Sequence, residues 1–106
     1  MKPPSIFNIF KKLTLSFFSN TSYMEKLAEK GVTIINSNST YIDESVRIES
    51  GTIVHPSTYI LGNSEISSNC IIGPNSTISN TKISKKSNIL YSIVLDSIIG
   101  ENSNIG

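Results

Sequence analysis

The residues of this chain that could take part in chemistry are few and lie far apart in the sequence. The only histidine, His55, could act as a general base, and the only cysteine, Cys70, as a nucleophile. His55 follows an aliphatic residue and precedes Pro56, which predicts an outward side chain at a strand end with no acid or nucleophile beside it. We therefore expect His55 to be a surface residue and Cys70 to be a small buried one.

Two other patterns are only partly typical of binding sites. Gly73-Pro74-Asn75 resembles a fragment of a phosphate-binding loop, but it lacks a lysine and a following helix and so predicts a corner turn. Lys82, Lys85 and Lys86 form a small basic patch, which we interpret as a solvated face, with an anion or partner contact as the alternative. The carboxylates that could serve in acid–base catalysis are spread along the chain and are expected to point outward: Glu44, Glu49 and Glu65. The sequence thus predicts no catalytic, cofactor-binding or metal-ligating residue.

The composition favours short strands over helices. Among 106 residues there are 18 isoleucines but only one alanine, and β-branched side chains disfavour helices. The 19 serines and 11 asparagines favour turns, so frequent corners should separate the strands. The net charge of +1 argues against a nucleic-acid-binding face, and the single cysteine excludes a disulfide framework within one chain. The chain has no window of about 20 apolar residues, so no transmembrane helix is predicted.

The chain changes character near residue 23. Residues 1–23 hold all four phenylalanines and three lysines but no acidic residue. This leader is either disordered, without a separate function, or an amphipathic helix that associates with a membrane surface, or a signal peptide. No other part of the chain is expected to contact a membrane.

A short helix should follow the leader. Ser22 and Glu25 have the spacing of a capping box, which predicts a helix over Met24–Lys30. Gly31 can adopt the left-handed conformation that ends a helix, and residues 24–31 are accordingly assigned as a connecting helix. Residues 32–35 then predict a first strand.

The remainder of the chain is a repeat with a period of six residues. Aliphatic residues recur at this interval at Ile42, Ile48, Val54, Ile60, Ile66, Ile72 and Ile78, and then at intervals of five or six at Ile83, Ile89, Val94, Ile99 and Ile105. In most units the fourth residue after the aliphatic one is small or β-branched: Val46, Thr52, Thr58, Ser64, Cys70, Ser76, Ser87, Ile98 and Ser103. A six-residue period is the signature of a parallel β-helix.

The repeat predicts an all-β fold, a left-handed parallel β-helix with three-sided coils of 18 residues, preceded by the short α-helix; the handedness is that of the class. The aliphatic residues should point inward and form ladders, such as Ile42 over Ile60 over Ile78. The residue four positions later should also turn inward, near a corner where only a modest side chain fits. Shortened corners or a local bulge should absorb the five-residue steps. The β-helix is expected to span residues 32–106 and to be incomplete at its C-terminal end.

Several stretches resemble one known enzyme family. They are residues 31–36, 39–43, 62–75 and 91–100. From about Met24 to Gly106 the chain is similar to the bifunctional glucosamine-1-phosphate N-acetyltransferase / N-acetylglucosamine-1-phosphate uridyltransferases of bacterial cell-wall (peptidoglycan) precursor synthesis. The resemblance includes the irregular steps near residues 80 and 95, but not residues 1–23.

This resemblance implies that the chain is the end of the family's connecting helix and the first coils of its β-helix. The family uses acetyl-CoA, UTP and magnesium, but its nucleotidyltransferase site precedes the matching region and its acetyl-transfer residues follow it. No site residue can therefore be carried over, and this piece is expected to bind none of the cofactors. The implied partners are two further copies in a homotrimer or the remainder of the parent enzyme.

We accordingly expect a fragment of a cytoplasmic transferase of UDP-N-acetylglucosamine biosynthesis that is structural and inactive by itself. Two alternatives stay open. The chain could be a non-catalytic β-helix module that oligomerises or caps another β-helix, or a different hexapeptide acyltransferase that shares only the coil pattern.

Overall fold

A short helix precedes the solenoid, as expected. The computed structural model describes residues 20–106, and the leader up to residue 19 lies outside the described residues. Residues 20–29 form helix α1, which buries Asn20, Met24 and Leu27. These positions are four and three residues apart, so they lie on one stripe of the helix. The chain leaves the helix through Gly31, whose φ of 94° lies in the left-handed region that glycine tolerates best.

The predicted start of this helix is wrong. Ser22 was expected to cap a helix beginning near Met24, but residues 20–23 are already helical and Ser22 lies within the helix, exposed to solvent. The buried face explains the extension, because contacts with the first coil stabilise this turn. The Asn20 side-chain amide donates a hydrogen bond to the Ile42 carbonyl, and the Tyr23 hydroxyl donates one to the Val46 carbonyl.

After the helix, the described chain contains thirteen short strands, separated by turns, and one 3₁₀ turn, Ser37–Ser39. The strands form three parallel sheets, which we call face 1, face 2 and face 3. Face 1 contains β1 (Thr33–Ile34), β4 (Ile53–Val54), β7 (Ile71–Ile72), β10 (Asn88–Ile89) and β13 (Asn104–Ile105). Face 2 contains β2 (Tyr41–Ile42), β5 (Tyr59–Leu61), β8 (Thr77–Ser79) and β11 (Ile93–Leu95). Face 3 contains β3 (Arg47–Ile48), β6 (Glu65–Ile66), β9 (Lys82–Ile83) and β12 (Ile98–Ile99).

The chain visits the three faces in turn, and the aliphatic residues stack inside the prism. Ile42 is in register with Ile60 and Ile60 with Ile78, while Ile48 is in register with Ile66. These inward side chains are almost completely buried from Ile42 through Val94, and Ile99 and Ile105 pack against the same core partly buried. The predicted three-sided parallel solenoid is therefore confirmed; it has about four turns in all and continues beyond the irregular steps.

The five-residue steps are shortened corners, one of the two predicted explanations. Three such corners carry a non-glycine residue of positive φ two positions after the inward residue: Asn80 at 48°, Tyr91 at 50° and Asp96 at 49°. Coils accordingly become shorter along the chain. On face 2, 18 residues separate Ile60 from Ile78, but 16 separate Ile78 from Val94.

The shortened corners overturn one sequence assignment. Ile98 was expected to turn inward because it follows Val94 by four positions, yet its side chain is 83% exposed. Ser97 occupies the corner instead, and its backbone N–H donates a hydrogen bond to the Thr81 hydroxyl. The corner residue always lies two positions before the next inward residue, because the parallel ladder holds that dipeptide in place. A deleted residue is therefore lost from the turn before the corner.

The corner residues also join successive coils. A corner hydroxyl accepts a hydrogen bond of 3.2 Å from the backbone N–H of the equivalent residue one coil later. The donor–acceptor pairs are Cys70 to Thr52, Thr81 to Ser64, Ser92 to Ser76, Ser97 to Thr81 and Ser103 to Ser87. Buried polar groups in the described chain are thereby satisfied, and no buried side-chain nitrogen or oxygen lacks a partner there.

Candidate functional site

His55 lies at the corner between faces 1 and 2, and its side chain is partly buried. Its backbone N–H donates to the Ile72 carbonyl at 2.8 Å, which continues the ladder of face 1 beyond strand β4. Within residues 20–106, no group of three or more His, Cys, Asp or Glu side chains is arranged to hold a metal ion. That His55 is non-catalytic remains a prediction.

Cys70 is the buried corner residue between β6 and β7 and is fully inaccessible. Its Sγ lies 3.3 Å from the Ser84 carbonyl oxygen, which accepts a hydrogen bond from the thiol. Burial raises the pKa of the Cys70 thiol, and backbone hydrogen bonds from Ser87 and Lys86 oppose this shift only in part. Because the thiolate is the nucleophilic form, this environment disfavours a reactive cysteine.

The segment Gly73-Pro74-Asn75 is a turn at the corner that follows β7. Gly73 has a φ of 87°, and a Cβ placed on it would lie 2.1 Å from the Thr58 hydroxyl oxygen of the preceding coil. The backbone N–H of Asn75 donates to the Pro56 carbonyl at 3.2 Å. This bond joins two coils, and the glycine allows the two coils to approach closely, so the turn serves packing.

The lysines predicted to form one basic patch lie in two settings. Lys82 is on strand β9, in register with Glu65, which is itself in register with Arg47. The outer surface of face 3 thus alternates basic, acidic and basic side chains at neighbouring positions, an arrangement that stabilises parallel neighbours modestly. Lys85 and Lys86 lie in the next turn and are exposed. Glu44, Glu49 and Glu65 are exposed on the outside of the coils, as predicted.

Two grooves lie where helix α1 meets the first coil. The larger has a volume of about 480 Å³ and is lined by residues that include Tyr23, Lys30 and Arg47, and the other, of about 420 Å³, includes Lys26 and Glu44 in its lining. Both open to solvent and carry charges of both signs. Burial raises the pKa of the Tyr23 phenol, the Glu44 carboxylate raises it further and the Arg47 guanidinium lowers it. The tyrosine hydroxyl donates its proton to the Val46 carbonyl, so it can offer a ligand only an acceptor oxygen.

Sequence reasoning missed two features of the described surface and interior. The corner positions were predicted as small spacers, whereas their hydroxyls bond coil to coil; the preference for Ser and Thr over Ala at these positions could have indicated this role. The second feature is apolar: Tyr41, Tyr59, Ile93 and Leu95 are exposed on the outside of face 2. Each belongs to a strand in which the inward residue is its direct neighbour, so the alternation of the strand predicts their exposure.

Repeated six-residue units, stacked aliphatic ladders and small corner residues together define a hexapeptide-repeat solenoid. A protein-family comparison agrees, because residues 45–80 match the family described as bacterial transferase hexapeptide (six repeats). Residues 45–80 therefore match the hexapeptide-repeat class, and the same ladders and corners continue through Ile105.

Within that class, the chain is homologous to part of the bifunctional protein GlmU. It is 47% identical over 76 residues to the GlmU of Clostridioides difficile, a match covering 72% of this chain and 17% of the relative. It is 46% identical over 82 residues to that of Caldanaerobacter subterraneus (77% and 18%) and 56% identical over 78 residues to that of Staphylococcus epidermidis (74% and 17%). The chain thus spans less than a fifth of the length of these relatives. In the described part of the chain, no helix has the length and apolarity needed to span a bilayer.

Proposed function

We propose that this chain is a structural piece of a bifunctional enzyme of UDP-N-acetylglucosamine biosynthesis and carries neither active site. The carrying observation is the homology to bifunctional GlmU proteins over 72–77% of this chain. In this proposal, helix α1 and the solenoid form the support from which an enzyme's active sites are built, and the setting is the cytoplasm.

The described residues support the inactive part of this proposal. A transferase must hold donor, acceptor and charge-stabilising groups within a few ångströms of one another. Here the candidate base His55 lies at one corner, the charged ladder of face 3 lies on another side, and the buried Cys70 is inaccessible. The family's acetyl-CoA, UTP and magnesium have no matching constellation among residues 20–106, so in this proposal the piece binds none of them.

The test is an activity assay on the purified, folded chain. Pyrophosphate release from UTP with N-acetylglucosamine 1-phosphate, and free CoA thiol from acetyl-CoA with glucosamine 1-phosphate, should both stay at the no-protein background. A full-length bifunctional relative serves as the positive control. Turnover above background that disappears in His55→Ala would refute the proposal, because it would place a working base at this corner.

The second candidate is an oligomerising module, and the observation that favours it is the exposed apolar surface of the last coil. Ile93 and Ile98 are 75% and 83% exposed on two neighbouring faces. A closed ring of three copies needs two different surfaces on each copy, which neighbouring faces provide. Hexapeptide β-helix transferases commonly form trimers, so a homotrimer is the assembly expected. Light scattering coupled to size-exclusion chromatography should give three times the chain mass; a monomer at all concentrations would refute this candidate.

A further inference from the structure

The outer surface of face 2 is apolar at both ends of the solenoid. Tyr41 and Tyr59 are exposed on the first two strands of this face, and Ile93 and Leu95 on the last. Thr77 and Ser79 lie between them, in register with Ile93 and Leu95. Small side chains thus lie beside large apolar ones along the outside of this face.

The same surface is acidic. No Lys or Arg occurs among residues 41–45, 55–63, 73–80 or 90–96, which form the described part of face 2 and its corners. These segments contain Asp43 and Asp96, while the third carboxylate, Glu44, shares a groove with Lys26 instead. Burial raises the pKa of the Tyr41 phenol, and the Asp43 carboxylate raises it further, so the negative potential extends over the tyrosine at the edge of the apolar surface. A partner with apolar and basic side chains would match this surface in both respects.

One such segment belongs to this chain. Residues 1–19 contain eight Ile, Leu or Phe residues and three lysines, with no Asp or Glu. The segment also joins the described chain at the right place. It precedes Asn20, whose side chain bonds the Ile42 carbonyl on β2, the first strand of face 2.

The length of the segment is sufficient. Four strands at about 4.8 Å spacing place β11 roughly 14 Å from β2. Nineteen residues span about 28 Å even at the short rise of 1.5 Å per residue. The tether also gives the segment an effective concentration on the order of millimolar, which favours the same chain over a second copy in dilute solution.

We propose that residues 1–19 bind the outer surface of face 2 of their own chain, with the apolar side chains over Tyr59, Ile93 and Leu95 and the lysines toward Asp43 and Asp96. This inference does not rest on the proposed structural role, and it competes with the oligomerising candidate for Ile93, because one surface cannot be covered by both the leader and a second copy. It assigns the non-matching leader a role as an intramolecular cover of an apolar surface.

Photo-crosslinking in the full-length chain tests this contact. A benzophenone amino acid replaces Tyr59 on face 2 and, as the matched control, Lys82 on the exposed outside of face 3. Equal amounts of light and heavy isotope-labelled chains are mixed before irradiation, and tryptic peptides are identified by mass spectrometry. We expect the position-59 probe to label the peptide ending at Lys11 within chains of one isotope, several-fold more than the position-82 probe does.

Charge provides a second measurement on a folded protein. Asp96→Asn retains a residue type that tolerates the positive φ of this position. In the proposed complex it removes one attraction, so the crosslink yield at position 59 should fall, as it should when salt is raised. Mixed-isotope crosslinks in place of same-isotope ones would overturn the proposal in favour of a second copy. Equal labelling of the leader from positions 59 and 82 would overturn it as well.

Discussion

Ile66 offers the sharpest test of the aliphatic ladder, because a second isoleucine on the same face serves as its control. Ile66 is 1% exposed and lies between Ile48 and Ile83 in register on face 3, whereas Ile98 on that face is 83% exposed. We expect Ile66→Asn to destabilise the fold severely and Ile98→Asn to have almost no effect.

The expected magnitude follows from burial. Losing a buried aliphatic side chain costs about 1.5–3 kcal/mol, and a buried amide without partners adds about 1–3 kcal/mol, so the total is roughly 2.5–6 kcal/mol. The whole domain is expected to be stable by only about 0.05–0.15 kcal/mol per residue, so this loss removes a large part of its stability. Ile98→Asn should change the unfolding free energy by less than about 0.5 kcal/mol.

Urea unfolding followed by circular dichroism measures both variants. The unfolding free energy of a small protein falls by on the order of 1 kcal/mol per molar urea. Ile66→Asn should therefore lower the urea midpoint by about 2 M or more, or leave no folded baseline. Ile66→Val, expected to cost about 0.5–1.5 kcal/mol, keeps the comparison measurable if the Asn variant does not fold. Coinciding midpoints for wild type and Ile66→Val, or an equal loss in Ile98→Asn, would contradict the ladder.

Two further predictions concern the corners. Gly73→Ala should clearly lower the urea midpoint of unfolding, because the backbone φ of Gly73 is 87° and the new Cβ would meet the Thr58 hydroxyl. Gly100→Ala is the control and should leave the midpoint unchanged, because no atom lies within 4 Å of its new Cβ. Equal midpoints for the two variants would refute the close approach of the coils. Cys70 should react with a thiol reagent far more slowly in the folded chain than in urea. Since its folded pKa is raised, the stability it contributes is complete below the unfolded thiol pKa and is lost as pH rises through the folded value. Equal labelling rates in folded and unfolded chains would show that the thiol is exposed.

The repeat made most of the fold predictable, and the errors lie where local spacing changes. Inward positions such as Ile60 and Ile83 follow directly from aliphatic periodicity, because only one side of each strand is buried. Ile98 was assigned inward by counting forward from Val94, but a shortened turn shifts every forward count. Counting back from the next inward residue would have placed Ser97 at the corner. The helical residues 20–23 were missed for another reason: contacts of Asn20 and Tyr23 with a coil distant in sequence stabilise them.

The surface of the molecule was less predictable than its interior. Strand alternation predicts which positions face outward, but the residue types at those positions do not repeat. The acidic and apolar character of face 2 therefore emerges only when folding brings Tyr59 and Ile93 onto the same face. The strand register was equally beyond the sequence: it places Lys82, one of the three lysines of the predicted basic patch, beside Glu65.

The corner hydroxyls make unfolding of this solenoid cooperative along its axis, from one coil to the next. Each one joins a coil only to its immediate neighbour, so opening one coil removes support from the two adjacent coils and from no others. Amide hydrogen exchange should then depend on position along the axis more than on depth below the surface. The backbone N–H of Thr81 donates to the Ser64 hydroxyl in a central coil and should exchange slowly. The backbone N–H of Ser103, in the last described coil, should exchange much faster, although both hydrogen bonds are 3.2 Å long. Two bonds of equal length would thus differ in lifetime because of the number of coils stacked on either side.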